Sequence, residues 1–363
     1  MPTWGEELQE LGQIQRKLEA QATVTPPVPG APSAHDILRR KYLKQLHELT
    51  GRAVIVYATA FLEGKQVNNG MLSVGLGDQQ GFMEAVSGIQ ERKLDLFLHS
   101  PGGSADAAEA IVQYLRTQFD HIRVVVPVAA MSAATMMALA ADEILMGDHS
   151  QLGPIDPQLT ITMPEGPRSA PAQAIIDQFE MAKKECADPN KIAAWLPILR
   201  SYAPGLIAFC DSQRKLAEDS ASRNLERYMF KDQEDRKEKA AAVAAWFANF
   251  SEFKSHGRRV GPDEAAEQGL KITRLEADDT LQDAVLSVHH AFAHTLSATG
   301  AVKIVENHNG RAWLHQTVTV QVGPGGPGMP GLPPGLESAP LPSPTVPVPG
   351  GARAARRRAD RGK

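Results

Sequence analysis

Three short segments hold the residue types that acyl-transfer chemistry requires. Ser100-Pro101-Gly102-Gly103 follows the apolar run LDLFLH at 94–99. Pro101 stops a sheet ladder. The two glycines admit backbone conformations that a Cβ forbids, and they bare their N–H groups. At a helix N-terminus such amides suit a developing negative charge; the plainer reading is a tight turn. The second segment, Ala129-Ala130-Met131-Ser132-Ala133-Ala134-Thr135, follows the run IRVVVPV at 122–128. A serine opening a helix of small residues is by default an N-cap. On a strand–turn–helix corner at the C-terminal edge of an open α/β sheet it is instead placed as a nucleophile. The Ala133 amide would then join that of Gly102 or Gly103 in an oxyanion hole. In the third segment Asp142 turns the chain into the strand 143–146, and Pro154 and Pro157 stiffen a loop that returns past the serine.

The elements that must position these residues alternate in type. Strands are predicted at 53–58, 94–99, 122–128 and from 143. Helices are predicted at 79–89, 105–119 and 132–141 from apolar residues at three- and four-residue steps. Repeated βαβ units with short connections imply parallel strands and right-handed crossovers. Residues 170–250 read as mostly helical, including an amphipathic run over 203–230.

The ends differ from this core. Leu8, Leu11, Ile14 and Leu18 predict an amphipathic helix over 5–21, followed by a Pro-rich linker to residue 34. Residues 323–350 hold 10 Pro and 7 Gly, a composition expected to be disordered, and a basic tip follows. That tip is a solvated tail, or a weak contact for a membrane surface or an acidic partner. The predicted organisation is an arm at 1–34, a catalytic-type domain at 35–322 and a tail at 323–363. A net charge of −4 among 363 residues gives no reason to expect nucleic acid. The two cysteines, Cys186 and Cys210, support neither a disulfide framework nor a four-ligand zinc site. No apolar run reaches the ~18–20 residues that span a bilayer, and the polar N-terminus has no signal-peptide core, so a cytoplasmic location is expected.

Taken in order, Ser100-Pro-Gly-Gly103, Ala130-Met-Ser-Ala133, Ala141-Asp142-Glu143-Ile144 and Gly153-Pro154-Ile155-Asp156-Pro157-Gln158 resemble the serine dehydrogenase proteinase family. That family is similar to the signal peptide peptidase A and Clp protease groups. The resemblance covers about residues 50–160 and extends more faintly to about 275, through Ser255-His256-Gly257-Arg258-Arg259 and Ala265-Ala266-Glu267-Gln268-Gly269-Leu270. It implies an α/β ClpP/crotonase-like spiral of ββα units and a serine nucleophile at Ser132. Oxyanion amides at Gly102 or Gly103 and Ala133, a polypeptide substrate and a homo-oligomer are also implied. No cofactor or metal is expected.

The base is the open question. A serine hydroxyl needs a neighbour to take its proton. In the Clp proteases a histidine follows the nucleophile helix; counted along this chain, its place falls near Ile155–Asp156, where none stands. The signal peptide peptidases use a buried lysine downstream, and Lys183 or Lys184 is the corresponding candidate here, expected to point inward toward Ser132. Both also read as a solvated helix face. His149 and Asp156 remain alternatives. His290 and His294, four residues apart, lack the third ligand of a metal site and read as helix-face residues. Two further functional readings stand beside a serine peptidase. One is a catalytically silent oligomeric scaffold; the other is an acyl-CoA enzyme of the crotonase type, in which Ser132 has no evident task.

Overall fold

Runs of β-branched and large apolar residues, buried on both faces, form the centre of the molecule. The computed structural model describes residues 3–23, 30–163 and 166–317. Its strands are β1 (Ala53–Thr59), β2 (Lys93–His99), β3 (His121–Val126), β4 (Ala129–Ala130), β5 (Glu143–Met146), β6 (Gln151–Leu152), β7 (Gln158–Met163), β8 (Gly166–Pro171), β9 (Ile272–Arg274), β10 (Ala301–Asn307) and β11 (Ala312–Gln316). A seven-stranded sheet runs in the order β11-β10-β1-β2-β3-β5-β9. From β1 to β9 neighbouring strands are parallel, while β10 and β11 add an antiparallel edge. β1 is buried along its whole length, as expected of a strand covered on both faces.

The alternation predicted from sequence is present, with 94–99 and 122–128 falling in adjacent parallel strands. Helices Asp78–Val86, Ala105–Gln118 and Ala133–Leu139 pack on one face. Helices Ala34–Thr50 and Asp279–Ala298 pack on the other. The N-terminal arm is helical over Trp4–Ala22 and starts with a capping box on Thr3. The Trp4 ring packs tilted on His294 with centroids 3.8 Å apart, and the His294 Nε2 lies 3.2 Å from the Trp4 carbonyl. His290 and His294, read from the sequence as helix-face residues, therefore pack against this arm through Trp4. The predicted tail at 323–363, its basic tip and part of the 22–34 linker lie outside the described residues.

Two buried polar clusters hold the elements around the site. Asp142 accepts hydrogen bonds from Arg116, Lys231 and the Ile122 amide at 2.7, 2.8 and 2.9 Å. Burial opposes its ionisation, but these donors hold its pKa at about 2. Lys303, buried, donates to Asp78 at 2.7 Å and to the Ser73 carbonyl at 2.8 Å, while the Tyr57 hydroxyl donates to Asp78 at 2.7 Å. The grip on Ser73 sets Val74 against the glycine pair described next.

Candidate active site

β2 ends at His99, and the chain continues one step further as a ladder. The Ser100 amide donates to the Ala129 carbonyl and the Met131 amide to the Ser100 carbonyl, both at 3.0 Å. This pairing brings Gly102 against the corner that carries Ser132. A Cβ on Gly102 would stand 2.4 Å from the Met131 carbonyl oxygen and 2.7 Å from the Ser132 Cβ, and its φ is +90°. Only glycine fits there. Gly103 meets Val74 equally closely, through a bridge in which the Val74 amide donates to the Gly102 carbonyl at 2.7 Å.

Ser132 has φ +51° and ψ −119°, a conformation that costs a non-glycine residue on the order of 1–3 kcal/mol. It precedes helix Ala133–Leu139, yet its side chain makes no cap hydrogen bond. The default reading of this serine as a capping side chain is thus corrected: it sits at the cap position but makes no cap hydrogen bond. Thr135 fixes the corner from behind, donating to the Ala130 carbonyl at 2.7 Å and accepting from the Gly153 amide at 3.0 Å.

The amides divide into committed and free. The Gly102 N–H donates to the Ser100 Oγ at 3.2 Å. The Gly103 and Ala133 N–H groups find no acceptor among the described residues. Ala133 is the first residue of its helix, where an N–H has no intrahelical partner. A pair of unused amides beside a half-buried hydroxyl in a cleft can hold a developing oxyanion.

An open cleft of about 620 Å³ includes Gly103, Ser132, Ala133, Gln158 and His256 in its lining. His256 arrives from a distant segment, carried there by an antiparallel bridge in which the Leu152 and Val260 backbones exchange hydrogen bonds at 2.9 Å. Its Nδ1 lies 2.8 Å from the Asp156 Oδ1, and Asp156 is 3% exposed. The other Asp156 oxygen accepts from Gln158 at 2.7 Å. A carboxylate only accepts, so in the neutral imidazole the His256 Nδ1 carries the proton and the Nε2 the lone pair.

The base expected from sequence is corrected here. Lys183 is 58% exposed and donates to both Glu180 oxygens at 2.9 Å, and Lys184 is also exposed. Neither lines the cleft. An ion pair with Glu180 one turn back holds Lys183 on the solvent side of its helix. His149 is exposed and outside the cleft lining as well. Asp156, named from sequence as an alternative base, is the partner of an imidazole. Sequence reasoning noted His256 only as part of a terminal motif. Its 100-residue separation from Asp156 hides the pairing.

Fold and site together define an α/β protein whose parallel sheet presents a serine at its C-terminal edge. Residues 74–194 match the family of ClpP-like SDH-type serine proteinases, the family that the four motifs resemble. Two uncharacterised proteins of Methanocaldococcus jannaschii are 34% identical over 120 residues and 33% identical over 103 residues. These matches take in 33% and 28% of this chain, and the chain spans only 39% and 32% of the relatives' length. Two solved structures of the 1510-N membrane-bound stomatin-specific protease are also similar. A serine-to-alanine variant aligns at TM-score 0.35 and 16% identity, over 58% of this chain and 79% of that one. A lysine-to-alanine variant in complex with a substrate peptide aligns at 0.34 and 17%, over 55% and 70%.

Proposed function

We propose that the protein is a serine peptidase in which Ser132 is the nucleophile and His256, oriented by Asp156, is the base. The observation that carries this reading is the cleft itself. A strained serine freed from capping and an imidazole held by a buried carboxylate line the same space. In the proposed reaction the Ser132 hydroxyl gives its proton to the His256 Nε2 as its oxygen bonds to the peptide carbonyl carbon. The resulting oxyanion rests on the Gly103 and Ala133 amides. The C–N bond then breaks as the imidazolium protonates the leaving amine. Water, deprotonated by the same imidazole, releases the acyl group and restores Ser132.

His256 makes no hydrogen bond to Ser132 among the described residues, and such contacts are often long before substrate arrives. Labelling with a fluorophosphonate probe tests the reading. Wild type is expected to react, Ser132→Ala to be inert, and His256→Ala to react about 10²–10⁴-fold more slowly. Lys183→Ala should label like wild type. A folded wild type that does not label would favour the silent scaffold.

The assembly is proposed to be a homo-oligomer. Met181, Ile192, Leu196 and Phe209 are exposed on the neighbouring helices Ala172–Glu185, Pro189–Arg200 and Leu206–Arg227. Exposed large apolar side chains on packed helices are a candidate surface for another copy to cover.

A further inference from the structure

At the end of the sheet opposite Ser132, three side chains from distant parts of the sequence converge. His47 lies in the last turn of helix Ala34–Thr50, Glu91 just before β2, and His308 just after β10. One ligand atom from each lies within 4.8 Å of the other two. The Glu91 Oε1 stands 3.6 Å from the His47 Nε2 and 3.9 Å from the His308 Nε2. The imidazole rings are stacked, with centroids 4.0 Å apart and an interplanar angle of 15°. We propose that these three residues bind a divalent transition-metal ion of the zinc class.

The spacing is the first support. The contacts to Glu91 are too long for hydrogen bonds. Metal–ligand bonds of about 2.0–2.2 Å at tetrahedral angles set donor atoms about 3.3–3.6 Å apart. The two Glu91 contacts need shorten by only a few tenths of an ångström, and one of the stacked rings must turn on binding so that both Nε2 lone pairs meet at one point. The anchoring of each ligand is the second. The His47 Nδ1 lies 2.7 Å from the Arg52 carbonyl, which can only accept. That fixes the proton on Nδ1 and leaves Nε2 its lone pair, the outer hydrogen bond usual for a metal-bound histidine. The His308 Nδ1 accepts from the Val54 N–H at 3.1 Å and has the Val54 carbonyl at 3.4 Å; binding through Nε2 requires the other tautomer, with Nδ1 donating to that carbonyl. The Glu91 Oε2 accepts from the Gln90 amide at 3.1 Å, which leaves Oε1 for the histidines. Two imidazoles and one carboxylate select zinc-class ions over calcium or magnesium. Three protein ligands leave a coordination position for water, and His47 and Glu91 are part-exposed on that side.

The ion would tie helix Ala34–Thr50 and the ends of β2 and β10 together, far along the strands from the cleft. The test is calorimetric titration of zinc chloride into the full chain after dialysis against EDTA, with thermal melts of every variant in EDTA. The expected result is one zinc per chain at micromolar affinity or better, weakened at least about tenfold in both His47→Ala and Glu91→Gln. His290→Ala, altering a histidine outside the proposed site, should bind like wild type. Glu91→Gln keeps the shape of the side chain and carries the test if His47→Ala fails to fold. Absence of stoichiometric binding to wild type, or unchanged affinity in a folded Glu91→Gln, would overturn the proposal.

Discussion

Ser132 carries its backbone strain because its neighbours leave it no alternative. The ladder from Ser100 to Ala129–Met131 fixes one side and Thr135 the other. Glycine adopts this φ without penalty, so Ser132→Gly should melt at or above Ser132→Ala in calorimetry, reversing the usual cost of about 0.5–1 kcal/mol for glycine. A lower melting point for the glycine variant would show that the corner is not strained. Gly102→Ala should be damaging for the opposite reason. Its positive φ alone costs about 1–3 kcal/mol, and its Cβ would meet the backbone on both sides of Ser132. Urea unfolding should show that loss, together with slower probe labelling.

At the scale of elements, Asp142 joins helix Ala105–Gln118 through Arg116, the start of β3 through Ile122, and the segment after Leu206–Arg227 through Lys231. Removing one partner of a buried pair leaves the other charge uncompensated, so Asp142→Ala should cost about 3–5 kcal/mol in urea unfolding. Its folded pKa of about 2 lies below the ordinary 3.8. The carboxylate therefore stabilises the fold fully above pH ~4, and this contribution fades as pH falls through 2. The elements themselves were largely legible. Strands at 53–58, 94–99 and 143–146 were placed within a residue of their observed bounds, because a strand buried on both faces is predominantly apolar over its short length. Asp142 was read only as a turn residue, since its partners come from three separate parts of the chain.

For the whole molecule, acid sensitivity should exceed that of carboxylates alone. His99 is 3% exposed, packed against Phe61 and His289, and its Nδ1 has no hydrogen-bond partner among the described residues. Burial lowers its pKa to about 4. The unfolded chain takes up the proton near pH 6.5 and the folded one only near 4, so stability is full above 6.5 and falls as pH drops between these values. The span corresponds to on the order of 3 kcal/mol. His99→Phe should flatten the melting profile between pH 7 and 4.5; an unchanged slope would assign the acid loss elsewhere. The proposed oligomer predicts that light scattering gives a multiple of the 39.2 kDa chain mass, and that Phe209→Glu lowers it.

The sequence alone determined the α/β class, the glycine pair, the serine corner and their family resemblance, because each rests on residues close together along the chain. Periodicity, turn residues and short motifs are local signals. The proposed base rests on the tertiary structure alone. Lys183 looked suitable by its distance along the chain, but its helix leaves it in water beside Glu180. His256 gains its place from the Leu152–Val260 bridge and its orientation from Asp156. No local pattern records either contact, since a proton-transfer pair depends on distance in space and on burial rather than on spacing in sequence.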